Sequence, residues 1–166
     1  MSPYQELKLG YTFRDWELLK LALTHPSVAH EQGTPMQTNQ RLEFLGDAVL
    51  QLVLTRELYE RFPAFDEGPL TKARAKLVNR QTLFEHGLAL NLGEYLLLSR
   101  GEETHGGRAR PSALADAYEA LVGAIFWMVV LKRRVNSSIC WTLSARKLTA
   151  ICRRKKIACC STSWAS

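Results

Sequence analysis

The stretch from Gln40 to Phe62 sets the fold class. Its Leu42, Leu45, Val49 and Leu52, with Val53 beside them, recur at steps of three and four residues, and Pro63 stops the run. That spacing is the signature of one face of a long α-helix. The neighbouring segments read the same way. Asp15 to Leu23, with Trp16, Leu18, Leu19, Leu21 and Leu23, predicts a mostly buried helix. Asp66-Glu67-Gly68-Pro69 has the acid and early proline of a helix start, and Leu70, Ala73, Leu77 and Leu83 carry the pattern to about Gly87. Pro111-Ser112 opens a last helix that runs through Phe126. Between these lie a turn-rich stretch from His30 to Asn39, a short apolar piece from Gly93 to Leu98, and a glycine-bearing loop from Arg100 to Arg110. No segment alternates like a strand, so the expected fold is all-α.

With 166 residues the chain has the length of about one domain. Neither a membrane-spanning run nor a signal peptide at Met1 to Gly10 is expected, so the expected compartment is the cytoplasm. The net charge of +6 is unevenly placed. Residues 1–126 hold thirteen basic and all sixteen acidic side chains, a net charge of −3, whereas residues 127–166 hold nine basic side chains and no acid. All four cysteines also lie in that tail. Its Arg153-Arg154-Lys155-Lys156 run fits either an RNA contact or a solvated surface.

Two pairs of acids stand out from the body. Glu43 and Asp47 are four apart on the Gln40 helix, and Asp116 and Glu119 are three apart on the last helix, so each pair shares a face. Both pairs sit among apolar residues. Four like charges there are unfavourable unless neutralised, and a hard divalent cation with oxygen ligands does that economically. Acids at this spacing also stand in water at helix edges, and spacing alone leaves both readings open.

The residues around the acids narrow the choice. Asn39-Gln40-Arg41-Leu42-Glu43-Phe44-Leu45-Gly46-Asp47 resembles the signature of the ribonuclease III family. Leu23-Thr24-His25-Pro26-Ser27, Asp66-Glu67-Gly68 with Leu70 to Asn79, Gly93-Glu94-Tyr95-Leu96, and Leu114-Ala115-Asp116-Ala117-Tyr118-Glu119 to Ala124 resemble the family's other elements, in the same order. The resemblance implies a helical, dimer-forming endonuclease domain over residues 1–126. Such a domain cuts double-stranded RNA with Mg²⁺, or Mn²⁺ as a substitute, leaves 5′-phosphate and 3′-hydroxyl ends, and serves in rRNA and mRNA precursor processing. It further implies that Glu43, Asp47, Asp116 and Glu119 hold metal, with Asp47 and Glu119 catalytic. Glu67 would be a supporting acid and Phe44 a dimer contact that inserts into the partner subunit. His25 reads as a structural residue at a helix end, and Gly106-Gly107 as a flexible turn.

Two departures from the family matter. Gln40 stands where the family usually has Glu, which removes a charge beside the site and opens an alternative reading: a catalytically impaired duplex-RNA-binding or dimerising module. The family also continues after Phe126 with Leu-Asp-Gly-Gly and later a double-stranded-RNA-binding domain, neither of which is visible here. Codons for Phe126-Trp127-Met128-Val129-Val130, read one base earlier, spell Leu-Asp-Gly. Residues 127–166 are therefore expected to be an out-of-frame tail, with the domain's last helices lost or altered and the RNA-binding domain absent.

Overall fold

The computed structural model describes residue 9 and residues 11–33 and 36–131. Eight α-helices follow one another: α1 Trp16–Ala22, α2 Pro26–Gln32, α3 Gln40–Arg61, α4 Glu67–Leu77, α5 Arg80–Ala89, α6 Leu92–Tyr95, α7 Arg100–Thr104 and α8 Pro111–Phe126. A 3₁₀ turn, Gly107–Ala109, precedes α8, and a π-helical turn, Trp127–Leu131, extends it. Met128 in that turn is buried in the core. The expectation of an out-of-frame tail falls mainly on residues 132–166, which lie outside the described residues.

The helix ends are set by local chemistry. Asp15 caps α1 by accepting from the Leu18 N–H at 3.1 Å. His25 caps α2 through Nδ1, which accepts from the Ser27 N–H at 3.2 Å, and Pro26 fills the first turn. This is the structural role expected of His25. Proline there sacrifices only an N–H that a helix start leaves unpaired. Phe62 closes α3 directly before Pro63.

Three segments differ from the sequence reading. The Leu70 to Gly87 pattern is two helices, because Asn79 leaves the helical backbone and accepts from the Thr82 N–H at 2.8 Å, starting a new one. The turn-rich stretch begins later than expected, since α2 runs through His30 to Gln32. The Arg100 to Arg110 loop is mostly helical. Ser99 caps α7 through the Glu102 N–H at 3.1 Å, and Arg108 Nη1 ties the segment to the Gly93 and Leu96 carbonyls at 2.8 and 3.0 Å. Gly107 is close-packed rather than flexible, as a Cβ there would meet the Glu102 carbonyl oxygen at 2.7 Å.

Helix α8 is the axis of the domain. From Ala113 to Ile125 only Asp116 and Glu119 escape burial, because α1, α3 and α5 all pack on it. By length and composition Pro111–Val129 is apolar enough to cross a membrane, a property the sequence reading missed; here its flanks are covered by the other helices. Among the described residues the only bridge of strand type joins Thr24 and Leu97. It fixes the start of α2, with His25 N–H to the Leu97 carbonyl at 3.0 Å and Asn39 N–H to the Thr24 carbonyl at 2.9 Å.

Helices α3 and α8 approach backbone to backbone, and two glycines make this possible. A Cβ on Gly46 would overlap the carbonyl oxygen of Glu119, and a Cβ on Gly123 would overlap that of Leu42. Each glycine lets the other helix's backbone lie directly against it. Glu43 and Asp47 are thereby brought to the turn of α8 that bears Asp116 and Glu119.

Candidate metal centre

Glu43 from α3 and Asp116 and Glu119 from α8 each offer a carboxylate oxygen, and these three atoms lie within 4.8 Å of one another. All three side chains are half-buried, and none forms an ion pair within 4.0 Å among the described residues. Asp47, one turn along α3 from Glu43, stands beside this trio without joining it. Both of its oxygens accept from Gln51 Nε2, at 3.2 and 3.1 Å.

The electrostatics follow from this crowding. Burial, and then the charges of Asp47, Glu43 and Asp116, push the Glu119 carboxyl up to about 7. Burial, reinforced by Asp116 and Asp47, raises Glu43, and burial raises Asp116. The guanidinium of Arg80, at the first residue of α5, opposes the rise at all three. His25 is held below its ordinary value chiefly by burial, against the pull of Glu102 and Asp116.

A stability prediction follows. Between the usual glutamate value of 4.5 and about 7, the folded metal-free protein keeps a proton on Glu119 that the unfolded chain has released. Stability therefore falls as pH rises through that window. His25 works in the opposite sense below 6.5, so the clean measurement is a comparison with Glu119→Gln, in which the His25 contribution cancels. In chelator, the melting temperature of wild type relative to Glu119→Gln should decline from pH 5 to pH 8. A flat difference would show that Glu119 feels no such crowding.

The remaining sequence candidates are not members of the trio. Glu67 is exposed at the first residue of α4, where it favours the helix dipole. Gln40 is exposed and accepts from Thr38 Oγ1 at 3.4 Å. Phe44 projects outward from α3 and is 81% exposed, the most of any large apolar side chain among the described residues. Sequence reasoning missed Gln51 and Arg80. Gln51 was detectable, being four residues after Asp47 on one helix face. Arg80 was not, since only the packing of α5 on α8 brings it near the acids.

Three clustered carboxylates, with Arg80 opposing the rise at each and His25 at Asp116, suit a hard divalent ion, whose preferred ligands are oxygens. An all-helical domain that assembles such a trio across two crossed helices fits a metal-dependent hydrolase. The Ribonuclease-III-like family model matches residues 15–139, and the chain belongs to that family. It is 53% identical over 118 residues to Ribonuclease 3 of Oleidesulfovibrio alaskensis, a match covering 71% of this chain and 52% of that protein. It is 51% identical over 119 residues to Ribonuclease 3 of Vibrio cholerae, covering 72% and 50%. The chain thus spans about half the length of the curated relatives it matches. Its fold matches the nuclease domain of ribonuclease III from Campylobacter jejuni with a TM-score of 0.75 and 37% identity, over 91% of this chain and 94% of that one. A second structure of the Campylobacter domain describes structural flexibility in a region involved in dimer formation.

Proposed function

We propose that this domain is an endoribonuclease that hydrolyses phosphodiester bonds of double-stranded RNA with a divalent cation, Mg²⁺ in the cell and Mn²⁺ as a substitute. The observation that carries the reading is the convergence of Glu43, Asp116 and Glu119 across the glycine-lined crossing. Those three side chains would hold the cation, and Asp47 is the nearby fourth carboxylate. When bound, the cation supplies Lewis-acid polarisation of the phosphate and activation of water. The acids themselves offset its charge, and Glu119 must shed its proton to do so. Glu67, at the mouth of α4, would support the ion indirectly.

The proposed functional unit is a homodimer acting in the cytoplasm on rRNA and mRNA precursors, with products ending in 5′-phosphate and 3′-hydroxyl. Support for the dimer comes from an apolar stripe on α3. Phe44, Leu52 and Tyr59 are 81%, 48% and 73% exposed and fall within a sector of roughly 80° at 100° per residue. Two symmetry-related sites could then cut the two strands of one duplex.

The test is incubation of the purified chain with a long duplex RNA in Mg²⁺, with chelator as control. Short duplex products that require the metal support the reading, and none under any divalent ion sinks it. Gln40 favours a second reading, an impaired duplex-RNA-binding or dimerising module, because a neutral, exposed side chain stands at that position. In the same assay Gln40→Glu should raise the rate at low Mg²⁺ by added attraction for cations. An unchanged Mg²⁺ dependence would show that the missing charge has no catalytic consequence.

A further inference from the structure

Asp47 is the one acid of the four that is engaged by a side chain of its own helix. Gln51 Nε2 lies 3.2 Å from Oδ1 and 3.1 Å from Oδ2, so a single nitrogen sits nearly equidistant from both oxygens. One amide nitrogen thus engages both oxygens that a cation would need. Gln51 is half-buried one turn above Asp47, which keeps the amide in place. Asp47 meanwhile has no oxygen in the group formed by Glu43, Asp116 and Glu119.

We infer that Gln51 competes with the cation for Asp47, occupying its carboxylate in the metal-free protein and yielding at least one oxygen when a divalent ion is bound. The inference rests on the reading that the trio holds a cation. Its physical content is a trade. The amide satisfies a charge that would otherwise add to the repulsion among the acids, and recruitment of the fourth ligand then requires that the amide be displaced. Gln51 is a positioning residue, acting on the ion only through Asp47.

The test uses Mn²⁺ as the probe, titrated into metal-free protein with the free ion followed by electron paramagnetic resonance. Gln51→Leu keeps the size of the side chain and removes the donor, and should tighten Mn²⁺ binding roughly threefold to tenfold, the range for losing one competing hydrogen bond of ordinary net strength. In an Asp47→Asn background the same substitution should leave the affinity unchanged, a coupling that a general effect on helix packing would not produce. Gln51→Ala provides the same comparison if leucine disturbs the neighbouring side chains. Equal or weaker Mn²⁺ binding in variants that melt like wild type overturns the inference and leaves the trio intact. Wild-type protein that takes up no Mn²⁺ overturns the site reading, and the inference with it.

Discussion

Glu119→Gln should lower metal-dependent cleavage of duplex RNA about a thousandfold while leaving the fold intact. The size follows from what the carboxylate is asked to do. A bound cation contributes several kcal/mol of charge stabilisation at the reacting phosphate, and each 1.36 kcal/mol is a factor of ten in rate. Glutamine keeps the volume and one carbonyl oxygen but cannot offset the ion's charge. The fold should survive because Glu119 contributes crowding rather than stabilisation; its carboxyl is pushed up to about 7 by burial and by three neighbouring acids. The variant should therefore melt no lower than wild type in chelator at neutral pH, yet gain less from added Mg²⁺. Duplex cleavage and thermal melting, each with and without metal, check both halves. Activity within tenfold of wild type would move the reactive ion away from Glu119.

Gly46→Ala should be the most damaging single-methyl change in the domain, costing about 3 kcal/mol or more and lowering the melting temperature by roughly 10 °C. Most added methyl groups are accommodated by a side chain turning aside. Here the added carbon would overlap the carbonyl oxygen of Glu119, with the Gly123 N–H also close at 3.1 Å, and neither belongs to a side chain that can move. The two helices must separate. That separation also pulls Glu43 away from Asp116 and Glu119, so the loss of stability should come with weakened divalent binding. Gly33→Ala is the contrasting control for the added methyl alone, since nothing lies within 4 Å of its Cβ, although its φ of 61° adds backbone strain. A Gly46→Ala protein that melts within about 2 °C of wild type would mean that the crossing can open without cost.

The long helix α3, the last helix α8 and the pairing of acids on each were legible in the sequence because they depend on spacing along one element. The convergence of Glu43 with Asp116 and Glu119 depends instead on how two helices cross, and the sequence records that only as two unremarked glycines 77 positions apart, Gly46 and Gly123. The break at Asn79 was hidden for a related reason. Leu77 and Leu83 continue a helical rhythm across it, while the cap that interrupts the helix is a single polar side chain turning back on its own backbone. Resemblance to the family supplied the roles expected of the acids. It gave no indication that Asp47 would be bound to Gln51, because Gln51 lies one turn beyond the residues that carry the resemblance.

The placement of the acids on α3 and α8 also bears on the order in which the molecule comes apart. Proteins open locally from the parts with least buried surface, and the most deeply packed segments open only with the whole. Helices α2, α4 and α7 have no buried residue, whereas α8 is buried at eleven of its sixteen positions. Fraying should thus begin at these three helices and leave the carboxylates of α3 and α8 in register. Asp116 and Glu119 ride on the segment whose amides should exchange last with solvent, so the site should persist through the partial openings that expose the domain's rim and disappear only when the domain itself unfolds.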